Sequence, residues 1–306
     1  MIRIEGGEFL MGAVGFSPDE GPVHARTVET FEIDEHPVTN REFAAFVAAT
    51  GYVTVAEEPL DGDAFDALSP DERAPGAMVF EPTTGPVELD DWRQWWRWQP
   101  GASWARPFGP GSDLSALLDH PVVQVAYRDA VAYAMWAGKR LPSEVEWEYA
   151  ARGGLAQAVF AWGDEESPSG ELLVNRWQGS FPYRNTGARG WVGTSPVGAF
   201  PANGYGLFDM TGNVWEWTSD RYASRHIPPG HAGPELGHRQ NLFPHVAAEA
   251  ERGRRVLKGG SHLCSPEYCM RYRPAARSPQ SEDTATTHIG FRCVRDVGGS
   301  SSAPQG

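Results

Sequence analysis

The segment 120-HPVVQVAYRDAVAYAMWAGKRLPSEVEWEYAARGG-154 carries the signals of two helices in close succession. Asp129 is a residue that caps a helix start, and AVAYAMWA runs from it to Gly138, which suits the left-handed turn that ends one. Ser143 and Glu146 then have the spacing of a reciprocal capping box ahead of VEWEYAA, closed by Gly153 and Gly154. Only Lys139 to Pro142 lies between, so the spacing predicts two helices packed as one unit. VVQVAY, at the front of the segment, reads as a strand.

Working outward, Thr39-Asn40-Arg41-Glu42 repeats the capping-box spacing and opens a helix over NREFAAFVAAT, stopped by Gly51. EFLMG, TFEIDEHPV, RRVLKGG and GFRCVRD read as short strands. The 35 glycines and 25 prolines punctuate the chain too often for long helices, so the 12 tryptophans must supply much of the buried area. No repeat of about 20–50 residues recurs and no linker divides the middle. These features predict a single, loop-rich α+β domain with little regular secondary structure. It covers residues 1–297, with a disordered tail at 298–306 and a surface excursion over 60–90. The five tryptophans of DDWRQWWRWQPGASW (90–104) read as a cover for the core rather than as a binding wall.

With 26 basic against 40 acidic residues, a net charge of −14 excludes a phosphate-tracking nucleic-acid binder. No apolar run approaches the roughly 20 residues that span a bilayer. MIRIEGGEFLMG lacks the basic and apolar regions of a secretion signal. The expectation is a cytoplasmic monomer whose thiols are kept reduced.

Cys264 and Cys269 lie close together in 259-GGSHLCSPEYCMRYRPAARSPQ-280, and the total of three cysteines is odd. Zinc would require more ligands than one loose pair supplies, whereas two thiolates alone suit Cu(I). Arg271, Arg273 and Arg277 would favour the thiolates. The spacing leaves three readings open: a copper site, a disulfide, or two inert thiols. A second candidate is 209-DMTGNVWEW-217. Asp209 and Glu216 offer carboxylates, and Gly212 and Val214 offer carbonyls, a hard-oxygen set suited to Ca²⁺ without the EF-hand spacing. The alternative is a turn with two solvated acids.

The chain resembles the formylglycine-generating enzyme family, the sulfatase-modifying factors, nearly from end to end. The likeness runs from GGEFLMG and NREFAAFV through the 120–154 segment, NRWQGSFPYRNTG and PANGYGLFDMTGNVWEWTSD to KGGSHLC, YCMRYRPAARS and GFRC. The paired cysteines after KGGS mark the oxidising members. The resemblance implies a fold related to C-type lectins. It also implies Cu(I) bound by Cys264 and Cys269, with the cysteine of a sulfatase Cys-x-Pro-x-Arg segment as a third thiolate. O₂ would then drive that cysteine through a thioaldehyde to Cα-formylglycine. Ser261 and Trp215 match pocket residues, and Tyr268 and Arg277 lie nearby in sequence. Asp209, Gly212, Val214 and Glu216 match one structural calcium site. A second would use Asn175, Arg176, Arg189 and Trp191, but Arg189 stands where the family has an acid, which predicts the loss of that site or its filling by the arginine. Pro274 stands where eukaryotic relatives have a disulfide cysteine, leaving Cys293 as a free buried thiol. Two other readings are a calcium-stabilised, lectin-like binding module and a non-haem iron oxidase of the same superfamily. Paired thiols disfavour the first. The scattered nine histidines, with no H-x₃-H pair, disfavour the second.

Overall fold

The computed structural model describes residues 1–60, 69, 73–226 and 253–297. Three helices form where side chains satisfy their first free amides. In α1 (Asn40–Thr50), Thr39 and Glu42 bond each other's backbone N–H, and Gly51 ends the helix at φ 67°. Ser143 and Glu146 do the same for α3 (Glu144–Arg152), ended by Gly153 at φ 56°. In α2 (Tyr127–Trp136) the cap position is Ala126, not Asp129. Asp129 sits one turn inside, where its carboxylate accepts from the Ala126 N–H at 2.8 Å. It thus performs only the returning half of a capping box.

The strands are short. β1 (Ile2–Ile4), β4 (Phe31–Ile33) and β11 (Val294–Asp296) make a three-stranded antiparallel sheet. β2 (Gly7–Met11) pairs with β3 (His24–Val28), and β5 (Gly76–Phe80) with β6 (Trp96–Pro100). The fourth group matters most here. It has the order β10 (Ile289–Gly290), β7 (Trp215–Arg221), β8 (Arg254–Lys258), β9 (Arg277–Ser281), with β10 parallel to β7 and the rest antiparallel.

Several expectations need correction. VVQVAY is buried but is no strand: Gln124 turns to φ 60°, and its N–H bonds Thr286 O while its side chain bonds Pro107 O. TFEIDEHPV keeps only Phe31–Ile33 extended in a sheet. GFRCVRD splits between two sheets, because Arg292 turns inward to Glu216 at 2.8 Å. The 60–90 stretch is not wholly a surface excursion, since Gly76–Phe80 puts Ala77 and Val79 into a small core. Residues 298–306 lie outside the described residues.

The largest core cluster packs Phe43, Phe46, Tyr133, Trp217 and Phe291 around α1 and α2, and a second sets Trp147 of α3 against Val28, Phe31 and Ile33. Buried ion pairs join distant parts of the chain. Lys258 and Arg152 both hold Glu148, at 3.0 and 2.7 Å; Arg273 holds Glu20 at 2.6 Å; Arg277 holds Glu144 at 2.7 Å. Charges buried this deeply persist only when paired, and losing one partner strands the other.

Candidate active site

The two cysteines lie on the connection between β8 and β9, whose base is the Lys258–Arg277 pair. One glycine makes the connection possible. Gly260 adopts φ 71°, and a Cβ there would fall 2.7 Å from the Arg271 carbonyl, so the outgoing and returning chains touch backbone to backbone. Within the loop, the N–H of Cys264 bonds Ser261 O at 2.9 Å and that of Cys269 bonds Ser265 O at 2.7 Å. These turns bring the two sulfurs to 3.2 Å. That is contact, well beyond the roughly 2.05 Å of a disulfide, and both cysteines are free.

Cys264 is buried and Cys269 half-buried. Burial pushes the Cys264 thiol well up, and the contact with Cys269 adds to this. That same contact pulls Cys269 down against its own burial, helped by the Arg271 charge. Of the two, Cys269 is therefore the readier to become a thiolate. The backbone N–H of Ser261 donates to the Cys264 sulfur at 3.4 Å. Of the three arginines expected to favour thiolates, Arg271 is the main contributor. Arg273 adds a smaller effect from its pair with Glu20, and Arg277 is committed to Glu144 and to the carbonyls of Asp19 and Ala223. Arg277 does not line the cleft.

Both thiols open into a cleft of about 590 Å³. Ser261, Trp215 and Tyr268 line it, as expected from sequence. Sequence reasoning missed Phe181, Trp96 and His288 there. Phe181 stacks on Tyr268 with ring centres 4.7 Å apart, and Trp96 lies against His288 at 4.8 Å. His288 Nδ1 is 2.8 Å from the Thr286 hydroxyl, and burial lowers the imidazole to about 3, so it is neutral. The tryptophan-rich segment divides in two. Trp104 covers core as expected, whereas Trp92, 53% exposed, and Trp96 form part of the cleft wall together with the buried Trp95. Cys293 is buried in the core, where burial pushes its thiol up, and it does not line the cleft.

The calcium candidates meet around a hydrogen-bond chain. The Asn175 amide donates to Asn213 Oδ1 at 3.3 Å, and the Asn213 amide donates to Asp209 Oδ1 at 3.3 Å. Burial raises Asp209 to about 6 despite the Gly198 N–H bonded to its other oxygen. Glu216, in β7 rather than in a turn, has both oxygens taken by Arg292, and one also accepts from Trp147 Nε1 at 2.7 Å. That carboxylate already has its cation. Asn175 Oδ1, by contrast, is buried with no partner, as an oxygen awaiting a cation or water would be. Arg189 does not fill that place: its guanidinium pairs with Glu171 at 2.9 Å and bonds Ala199 O. The main-chain carbonyls of Arg176 and Trp191 accept from Gln178 Nε2 and Ala188 N–H.

A family model described as the sulfatase-modifying factor enzyme 1-like domain matches residues 1–297. The chain is 60% identical to the formylglycine-generating enzyme of Mycobacterium tuberculosis over 97% of each chain. It is 46% identical to the formylglycine-generating enzyme of Thermomonospora curvata, over 97% of this chain and 93% of that relative. Among solved structures it is similar to PvdO from Pseudomonas aeruginosa, with a TM-score of 0.63 at 26% identity, covering 96% of this chain and 93% of the other.

Proposed function

Since the chain belongs to the sulfatase-modifying factor family of formylglycine-generating enzymes, we propose that it uses Cu(I) and O₂ to convert the cysteine of a sulfatase Cys-x-Pro-x-Arg segment to Cα-formylglycine. The observation that carries this reading is the pair of unbridged thiols, 3.2 Å apart, at an aromatic cleft large enough for an extended peptide.

The donor set fits a soft monovalent ion. Two sulfurs converge, and no carboxylate lines the cleft among the described residues to favour a hard ion. Copper, when bound, supplies a centre that takes a further thiolate and hands electrons to O₂. The chain's own residues do the rest. Cys264 and Cys269 would hold the ion as thiolates, so loading releases protons and affinity falls as pH falls. The Ser261 N–H fixes the direction of the Cys264 sulfur. Trp215, Phe181 and Trp96 wall off water and hold the client cysteine against the pair. Conversion of CH₂SH to CHO takes the aldehyde oxygen from water, releases H₂S and removes two electrons. Complete reduction of O₂ to water therefore draws two more electrons from an added thiol.

Calcium enters this reading as a structural ion at the unpartnered Asn175 oxygen, with the Glu216 carboxylate left to Arg292.

The test is to incubate the protein with Cu(I), O₂, a thiol reductant and a Cys-x-Pro-x-Arg peptide, and to follow the peptide by mass spectrometry. Replacement of CH₂SH by CHO only when copper is present supports the proposal. An unchanged peptide, or equal conversion without copper, contradicts it.

A further inference from the structure

The protein carries a net charge of −14, yet the cleft lining contains two guanidinium groups, Arg254 and Arg271, and no carboxylate among the described residues. Arg271 marks the thiol end. Its N–H bonds Cys269 O at 2.8 Å, and its Nη1 donates to Ser278 Oγ at 3.1 Å. Arg254 marks the other end, since it opens β8 directly opposite Ser281. Its neighbour Arg255 is paired with Glu282 at 2.8 Å, but Arg254 makes no ion pair among the described residues.

Ser278 and Ser281 sit on the same strand, β9, which is the edge of its sheet, and both line the cleft. Ser278 and Ser281 lie three residues apart on β9, roughly 10 Å along the strand. A client extended along β9 with its cysteine at the thiols therefore brings a residue about three positions away towards Arg254. Direction follows from charge. The arginine of Cys-x-Pro-x-Arg lies on the C-terminal side of the cysteine, and a guanidinium there is repelled by Arg254.

We propose that the segment before the client cysteine runs along β9 towards Arg254, and that clients with an acidic side chain about three positions before the cysteine are preferred. This rests on the formylglycine reading above and adds to it a rule for choosing among clients. Unlike charges placed opposite each other select partners, and like charges reject them.

The experiment uses copper-loaded enzyme and peptides bearing Glu, Gln or Lys at each of several positions before and after the cysteine. Glu three positions before should lower KM about fivefold relative to Lys, the scale of a partly exposed ion pair, with kcat unchanged. The difference should shrink as salt is raised. Arg254→Gln should level the series and Arg254→Glu should reverse it, both with wild-type thermal melts. Equal KM across the wild-type series overturns the proposal. So does a preference that survives Arg254→Glu, or one that follows the C-terminal side. A wild-type enzyme that converts none of the peptides overturns both this proposal and the reading beneath it.

Discussion

Cys264 and Cys293 are both buried thiols of one core cluster, yet only Cys264 has a second sulfur in contact. That difference separates a reactive role from a packing role. Cys264→Ser and Cys269→Ser should each nearly abolish peptide conversion with little change in melting temperature, because a serine hydroxyl fills the space without a soft ligand atom. Cys293→Ser should retain most conversion and lose only stability, by about 1–2 kcal/mol for an added buried hydroxyl. Mass-spectrometric assays alongside thermal melts check all three. A folded but inactive Cys293→Ser would mean that the wrong thiols have been singled out. Near-wild-type turnover by either of the other variants would mean the same.

At the scale of elements, the loop between β8 and β9 is fixed by its glycine entry and by the ion pairs beyond it. Gly260→Ala combines a left-handed backbone with a contact of 2.7 Å, so it should cost at least about 2 kcal/mol and reduce copper binding. Arg277→Met removes a buried partner of Glu144 and should cost about 3–5 kcal/mol in urea unfolding, although the residue does not line the cleft. Wild-type stability in either variant would contradict the role given to this loop. The same elements explain what could be read in advance. Helices α1 and α3 were legible because a capping box and a closing glycine are local signals. Strands were less so. β7 was hidden in the segment read as a calcium turn, and β5 in one read as an excursion, because both form by pairing with distant chain. Ser261, Trp215 and the thiols could be found from two local motifs and their resemblance. Phe181, His288 and Arg254 reach the same cleft from separate segments, and no spacing rule links them.

For the whole molecule, the buried titratable groups set the response to acid. Burial lowers His262 to about 4 and His288 to about 3, against an ordinary value of 6.5. The unfolded chain therefore gains protons first, and stability drains as pH falls below about 6.5. Burial raises Asp129 and Asp209 to about 6, so these two add stability as pH falls towards 3.8 and partly offset the loss. Glu144 is pushed up by burial but held at about 2 by His226, Lys258 and Arg277, so its contribution disappears between 4.5 and 2. The urea midpoint should thus change shallowly from about pH 6.5 to 4 and drop steeply below that. A steep loss already complete at pH 5 would contradict this balance. Calcium should act on the same stability. A ligand specific to the folded state, at a hundredfold excess over its Kd, adds about 2.7 kcal/mol. Chelation should lower the melting temperature, Asn175→Ala should abolish that sensitivity, and Glu216→Gln should destabilise with or without calcium, through Arg292. A melting temperature indifferent to chelation would remove calcium from the account.

The copper proposal requires Cys264 and Cys269 to hold the ion and the client cysteine to join them. X-ray absorption at the copper edge, on Cu(I)-loaded protein before and after adding a Cys-x-Pro-x-Arg peptide under anaerobic conditions, tests it most directly. The expected result is an all-sulfur environment whose sulfur count rises by one with the peptide. Nitrogen or oxygen neighbours in the resting protein, or a sulfur count that ignores the peptide, would contradict it.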